Sequence, residues 1–197
     1  MRGDGDGWVV SHTGTPYWGR HGAAGLLLRA PQPDGTPAVL LQHRAPWSHQ
    51  GGTWALPGGA RDSHETAEQA AVREAHEEAG LPAEVVHVRA TVVTAEVSGP
   101  GGAVWTHTTV VADAPHLLDT VPNRESSELR WVAEDEVIGL PLHPGFADSW
   151  DSLRITSTLS PDDHDDCLQP LPHTVEITSG VFAWCRAEIS RQQPAPH

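Results

Sequence analysis

The chain has 197 residues, of which 38% are hydrophobic and 19% charged, and its formal net charge is −14. This length and balance are typical of one globular domain with a substantial core. The negative charge argues against a nucleic-acid partner, since such binding relies on Lys and Arg to displace counterions. Because no apolar run approaches the roughly 20 residues of a membrane-spanning helix, no membrane partner is expected either.

The N-terminal segment, residues 1–17, is predicted to be a flexible tail. It begins with a stretch rich in Gly and Asp that lacks the apolar core of a secretory signal. The two cysteines, Cys167 and Cys185, are too few for a disulfide framework, which suits a reducing compartment. We therefore predict a cytoplasmic protein.

Two apolar segments, residues 22–29 and 38–44, are typical of buried strands. The Pro- and Gly-containing residues 31–35 between them predict a turn, so the two segments are expected to form a β-hairpin. Residues 45–60 are rich in Trp, Gly, Pro and Ser and are predicted to form an ordered loop. A helix is predicted next, at residues 66–79.

The ends of this helix are marked by sequence signals. Thr66 and Gln69 fit a capping box, and Gly80 is a typical C-terminal stop. Further strands and short helices are then predicted by Val- and Thr-rich runs and by helix-start signals: strands at residues 84–95, 104–111 and 129–133, and helices near 133–137 and 146–153. The expected architecture is α/β with a mixed sheet.

The chain is divided by composition into a domain at residues 18–156 and a C-terminal extension at 157–197. The extension begins with a polar, acidic stretch, which indicates a surface loop or linker. We expect the extension to pack on the core or on the partner subunit of a homodimer.

Three carboxylates lie on one face of the predicted helix. Glu74, Glu77 and Glu78 stand at i, i+3 and i+4. Like charges so placed repel, and the single positive charge of Arg73 cannot neutralise three. A hard divalent cation can, because Mg²⁺ prefers oxygen ligands, and a backbone carbonyl of the Gly58–Gly59 turn could complete the set. The simpler alternative is a solvated acidic helix.

The spacing of the surrounding residues decides against that alternative. The pattern runs Gly59, five residues, Glu65, seven residues, Arg73-Glu74, two residues, Glu77-Glu78, one residue, Gly80-Leu81. It resembles the signature of the Nudix hydrolases, and departs from it only at Ala75, where the family prefers a bulkier aliphatic. The resemblance implies the Nudix fold, an α/β/α sandwich with a mixed sheet and a loop–helix–loop that carries the signature.

The resemblance also implies roles for the signature residues. Glu74, Glu77 and Glu78 would bind the metal together with the carbonyl of Gly58, and Glu74 and Glu77 are catalytic candidates. Arg73 would orient the acidic side chains at the catalytic centre, while Glu65 braces the loop–helix–loop. The cofactor is expected to be Mg²⁺, with Mn²⁺ as a substitute, and the reaction is attack of a metal-activated water on a phosphoanhydride.

The general base is left open among Glu74, Glu125 and Glu128. The distance from Glu125 to Trp131 resembles that of MutT-type members, in which a glutamate before the last core strand reaches the metals. Glu125 is therefore predicted as a catalytic residue and a metal ligand, and Glu128 is its alternative.

Substrate contacts are predicted in and beside the loop before the signature. Arg44, at the end of the preceding strand, is the preferred phosphate contact, and Trp54 in the loop is a candidate to stack on a base. The substrate class follows by elimination within the family. Residues 94–98 contain neither the proline that marks ADP-ribose hydrolases nor the tyrosine that marks dinucleoside polyphosphate hydrolases. Isopentenyl diphosphate isomerases need a catalytic cysteine before the signature, and both cysteines of this chain come after it. A MutT-like hydrolase of a nucleoside triphosphate, ordinary or oxidised, is the leading prediction. The alternatives are an ADP-ribose or other nucleotide-sugar pyrophosphatase and a non-catalytic nucleotide sensor.

Overall fold

The computed structural model describes residues 3–158. This part of the chain forms nine strands and two α-helices. The strands are β1 (Trp8–Val10), β2 (Pro16–Trp18), β3 (Ala23–Pro31), β4 (Pro37–Arg44), β5 (Trp54–Ala55), β6 (Gly58–Ala60), β7 (His87–Ser98), β8 (Val104–Asp113) and β9 (Ser126–Ala133). The helices are α1 (Ala67–Ala79) and α2 (Pro144–Thr158). Nearly all of the predicted C-terminal extension, with both cysteines, lies outside the described residues.

Seven strands form one mixed sheet, as predicted. Its order is β5-β4-β3-β8-β7, with β6 paired to β3 and β9 paired to β4. The pair β3–β8 is parallel, whereas the other pairs in this sheet are antiparallel. The predicted hairpin is confirmed as β3 and β4, and the predicted loop at residues 45–60 additionally contains β5 and β6.

The two faces of the sheet carry separate hydrophobic cores. On one face α1 packs its small residues Ala70, Ala71 and Ala75 against the sheet, and each is at most 1% exposed. On the other face α2 contributes Trp150 and Leu153, which are equally buried. Burying side chains of this size contributes about 1.5–3 kcal/mol each. The predicted α/β/α sandwich is confirmed.

Helix α1 has the ends that the sequence predicts. The Thr66 side chain accepts from the Gln69 N–H while the Gln69 side chain accepts from the Thr66 N–H, so the capping box is complete. Gly80 ends the helix in the left-handed conformation at φ 69°, which a residue with a Cβ adopts at a cost. These caps fix where the acidic face of α1 begins and ends.

The N-terminal segment differs from the predicted flexible tail. Strands β1 and β2 pair as an antiparallel hairpin in which Trp8 lies opposite Trp18. Tyr17 packs against Trp105 with ring centroids 4.8 Å apart, and the Trp105 indole N–H donates to the Trp18 carbonyl at 3.1 Å. The flexible tail was predicted from the Gly- and Asp-rich residues at the start of the segment, whereas the short apolar runs that follow them form the two strands. Within residues 3–158, no helix is long and apolar enough to cross a membrane.

Candidate active site

The most deeply buried carboxylate of α1 belongs to Glu78. Its side chain lies where α1 faces β6, and Oε2 accepts a hydrogen bond from the Gly58 N–H at 2.8 Å. The residue is only 4% exposed, and this burial raises the pKa of Glu78 to about 7, although the bond from Gly58 acts in the opposite direction. The structure therefore joins the two predicted ligand residues Gly58 and Glu78 directly.

Glu74 lies one turn earlier and also faces β6. A Cβ added at Gly59 would stand 2.6 Å from the Glu74 carboxyl carbon, so this carboxylate rests against bare backbone. Burial raises the pKa of Glu74, and the neighbouring Arg73, which donates to Oε1 at 2.8 Å, lowers it in part. Any side chain at position 59 would therefore require the Glu74 carboxylate to move.

Arg73 ties the helix to the loop before it. Its guanidinium donates to both carboxylate oxygens of Glu65, at 2.6 and 2.9 Å, and to the Ala60 carbonyl at 3.0 Å. The arginine lowers the pKa of Glu65 and so keeps it ionised. Glu77 is exposed, unlike Glu74 and Glu78, and its carboxylate stands 3.8 Å from Arg73 Nη1.

Glu125 lies in the loop before β9, which contacts the C-terminal end of α1. The loop before β9 is fixed to the end of α1, because the Val121 N–H donates to the Ala79 carbonyl and the Asn123 N–H to that of Glu78. Burial raises the pKa of both Glu74 and Glu78, and the negative charge of Glu125 adds to both shifts. Glu125 also lines an open cavity of about 870 Å³ with Trp47, Asn123 and Arg124.

Glu128, the alternative to Glu125, is engaged elsewhere. Its carboxylate forms an ion pair with Arg130 at 2.7 Å. The Arg130 guanidinium lies over the Trp54 ring at 4.7 Å, and Trp54 belongs to the core on the α2 side of the sheet. Glu128 is therefore paired with Arg130, whereas the loop that carries Glu125 is hydrogen-bonded to the end of α1.

The two predicted substrate contacts have different surroundings. Trp54 is 5% exposed, its ring stacks on His43 at 4.8 Å, and Arg130 lies over it. This enclosure leaves little ring surface for a base, so Trp54 is a core residue and the stacking prediction is corrected. Arg44 is half-buried at the end of β4, where its Nε donates to the His49 carbonyl at 2.9 Å.

Three polar residues were not predicted from the sequence, one beside Glu78 and two on the α2 side of the sheet. Gln42 is fully buried beside Glu78, and its amide donates to Ser126 Oγ at 2.8 Å. Gln42 could have been noticed in the sequence because it is a polar residue within an otherwise apolar strand. His143 and His107 lie on the α2 side, where burial lowers the pKa of each to about 4 and so keeps both imidazoles neutral at pH 7. No sequence pattern brings these two histidines together, since they are distant along the chain.

The donor set beside α1 fits a hard divalent cation. Glu74, Glu78 and Glu125 offer only oxygen atoms as ligands. Burial raises the pKa of both Glu74 and Glu78, and the charge of Glu125 adds to each of these two shifts. A second group, Asp4, Asp62 and His64, has potential ligand atoms within 4.8 Å of one another. Asp4 and Asp62 already accept hydrogen bonds from Ser63 and Gly5, so we assign that group to loop closure.

The sandwich fold and the carboxylate-bearing loop–helix–loop together define a hydrolase built for a metal–phosphate substrate. The sequence model of the NUDIX domain matches residues 19–154. The chain belongs to the Nudix family and is a Nudix hydrolase, a class whose members generally use a divalent metal.

Relatives and solved structures agree with this assignment. A Mycobacterium tuberculosis protein named as an 8-oxo-dGTP diphosphatase is 69% identical over 197 residues, which covers 100% of this chain and 91% of that protein. The crystal structure of a Nudix hydrolase from M. smegmatis, RenU, is 68% identical with a TM-score of 0.75, covering 86% of this chain and 100% of that one. A C. elegans Ap4A hydrolase shares the fold at 21% identity and a TM-score of 0.54, covering 68% of this chain and 94% of that one.

Proposed function

We propose that the protein hydrolyses an oxidised purine nucleoside triphosphate of the 8-oxo-dGTP kind to the monophosphate and pyrophosphate. The chemistry is supported by the position of Glu74 and Glu78 against β6, and by the hydrogen bond from Asn123, in the loop that carries Glu125, to the Glu78 carbonyl. The substrate class rests on the M. tuberculosis relative, which matches along the whole chain and whose name gives that substrate.

The cofactor in this proposal is Mg²⁺, with Mn²⁺ as a substitute. Its ligands would be the side chains and the carbonyl that the sequence predicts: Gly58, Glu74, Glu77, Glu78 and Glu125. When bound, the ion would lower the pKa of an attacking water and offset charge on the leaving phosphate. The protein contributes rigid ligands, since Gly58 holds Glu78 and Arg73 holds Glu74. Glu77 and Glu125 are exposed, so these two proposed ligands have more freedom to adjust than Glu74 and Glu78.

The proton from water would pass to Glu74 or to Glu125. Glu74 is buried and held by Arg73, whereas Glu125 is exposed in the cavity. An acid that already binds an arginine is less free to move toward a substrate, so we favour Glu125 as the base. A pH–rate profile in which Glu125→Gln removes the acidic limb would support this choice, and retention of that limb would assign the base to Glu74.

Arg44 is the proposed substrate contact. Its Nε donates to the His49 carbonyl at 2.9 Å, and the centroid of the His49 ring lies 6.3 Å from that of the His143 ring. A guanidinium beside a neutral imidazole can bind phosphate oxygens and hydrogen-bond a purine edge. A cytoplasmic location, where nucleotides and Mg²⁺ are available, and a homodimer complete the proposal.

The alternatives have less support. The ADP-ribose complex among the structural neighbours, the NUDIX domain of Shewanella oneidensis NrtR, is 21% identical and shares the fold alone. A non-catalytic sensor is disfavoured because the metal-binding carboxylates are intact.

A nucleotide panel tests the proposal. Purified protein with Mg²⁺ should convert 8-oxo-dGTP to its monophosphate and pyrophosphate with a higher kcat/KM than dGTP or ADP-ribose, and chelation should abolish turnover. If ADP-ribose were turned over in preference to 8-oxo-dGTP, the substrate would be assigned to the ADP-ribose class instead. If nucleotides bound but none was hydrolysed, the non-catalytic nucleotide sensor would be favoured.

A further inference from the structure

The N-terminal hairpin, formed by β1 and β2, lies outside the part of the chain that the family shares. The NUDIX domain begins at residue 19, whereas the hairpin ends at Trp18. It is nevertheless attached firmly at two places. The Gly5 N–H donates to Asp62 Oδ1 at 2.7 Å beside the signature loop, and the His12 N–H donates to the Ser98 carbonyl at the end of β7. Because the hairpin is anchored at both places, it can influence the position of the residues around the proposed active site.

The outer face of the hairpin meets the loop that follows β4. Trp8 is 52% exposed and packs edge-to-face on Trp18, with centroids 5.1 Å apart. The Trp8 ring also packs edge-to-face on the His49 ring, with the ring centroids 6.0 Å apart and an interplanar angle of 69°. His49 is itself exposed in a loop that includes a non-glycine residue at positive φ, Gln50 at 57°. The aromatic contact therefore supports a loop segment that few buried side chains hold in place.

His49 is connected in turn to the proposed substrate contact. Its carbonyl accepts from Arg44 Nε at 2.9 Å, and its ring lies 6.3 Å from that of His143. The same loop begins at Ala45, whose N–H donates to the Glu125 carbonyl at 2.9 Å. A shift of His49 would thus move the carbonyl that orients the Arg44 guanidinium.

We propose that Trp8 of the N-terminal hairpin is a positioning residue which, through His49, orients Arg44 for nucleotide binding. This inference rests on the proposed function. Because Trp8 acts on binding rather than on the carboxylates, its loss should raise KM and leave kcat nearly unchanged. A hairpin that served stability alone would change neither constant.

The test compares Trp8→Ala with Trp8→Phe and with Val10→Ser, a matched control on the same exposed strand face. Trp8→Ala should raise KM for 8-oxo-dGTP roughly threefold to tenfold, the ratio that one aromatic pair represents, with kcat within about twofold of wild type. Trp8→Phe should restore most of the loss. Val10→Ser should leave both constants unchanged.

A double-mutant cycle shows whether Trp8 acts through His49. His49→Ala should raise KM by a similar ratio, and the double variant should be no worse than either single variant. Titration calorimetry with the α,β-imido analogue of dGTP should show the same pattern in Kd without turnover. Wild-type turnover with an unchanged KM and Kd in Trp8→Ala, or additive losses, would overturn the inference. If the wild-type enzyme hydrolyses no nucleotide but the variants still change the Kd of the analogue as predicted, only the proposed function is overturned. If the wild-type enzyme neither hydrolyses nucleotide nor binds the analogue, the proposed function and the role of Trp8 are both overturned.

Discussion

The carboxylate of Glu78 accepts a hydrogen bond from the backbone N–H of Gly58 at 2.8 Å. This bond joins the last turn of α1 to β6 across 20 residues of chain. It aligns the carbonyl-bearing turn with the acidic helix face, so one contact sets the relative position of two proposed metal ligands. It also holds a carboxyl group in a place where burial opposes its ionisation.

The burial of Glu78 predicts a pH effect on the metal-free protein. Its pKa is raised from 4.5 to about 7 in the folded state, so the folded protein binds this proton more tightly than the unfolded chain. The resulting stability is fully present below about pH 4.5 and is lost as pH rises through about 7. Urea unfolding in EDTA should show a smaller fall in stability between pH 5 and 8 for Glu78→Gln than for wild type. Identical slopes would contradict the assignment.

Gly59→Ala should damage the metal site without a change in charge. The new Cβ would stand 2.6 Å from the Glu74 carboxyl carbon, which must move away. Mn²⁺ affinity, measured by electron paramagnetic resonance, should fall about 10- to 100-fold, as when a ligand's support is lost. Gly139→Ala is the control, because its added Cβ would meet nothing within 4 Å. Equal affinity in both variants would show that Glu74 is not a ligand.

Arg73→Lys should reduce kcat/KM by about 10- to 100-fold although the positive charge is retained. An ammonium is a single point donor and cannot hold Glu65, Glu74 and the Ala60 carbonyl together as the guanidinium does. Arg89→Lys provides the comparison, since Arg89 pairs only at the surface with Asp113 in β8. If the two variants retained equal activity, the bridging role of Arg73 would be wrong.

His107 should make the protein sensitive to acid. Burial lowers its pKa from 6.5 to about 4, so the unfolded chain binds this proton more readily than the folded protein. Its contribution to stability is present above about pH 6.5 and is lost as pH falls through about 4. His107→Gln should therefore lose less stability than wild type between pH 7 and 4.5, as measured by urea unfolding. The exposed His116→Gln is the control and should behave as wild type.

The sequence predicted the parts of this molecule that local rules determine. Thr66, Gln69 and Gly80 mark the ends of α1 through contacts within a few residues, and the carboxylates of that helix follow from its period. Glu125 was predicted only through the family resemblance, since its position relative to α1 depends on how the loop before β9 packs on that helix.

Other features depend on tertiary packing and could not be predicted in this way. Trp54 looked like a surface aromatic in a polar loop, but strand pairing of β5 with β4 buries it beneath Arg130. The hairpin at residues 8–18 is stabilised by Trp105, which lies far along the chain. Gln42 was visible as an isolated polar residue in a strand, yet only the fold shows that it faces Glu78 rather than solvent.

The most direct test of the account measures metal binding and turnover on the same variants. Glu77→Gln should weaken Mn²⁺ binding, followed by electron paramagnetic resonance, and should lower kcat/KM for 8-oxo-dGTP by at least about 100-fold, as expected when a group acting on the reaction centre is lost. Glu84→Gln, at an exposed position after α1, should leave both quantities unchanged. Turnover that survives both EDTA and Glu77→Gln would contradict the claim that hydrolysis depends on a divalent ion held by this helix.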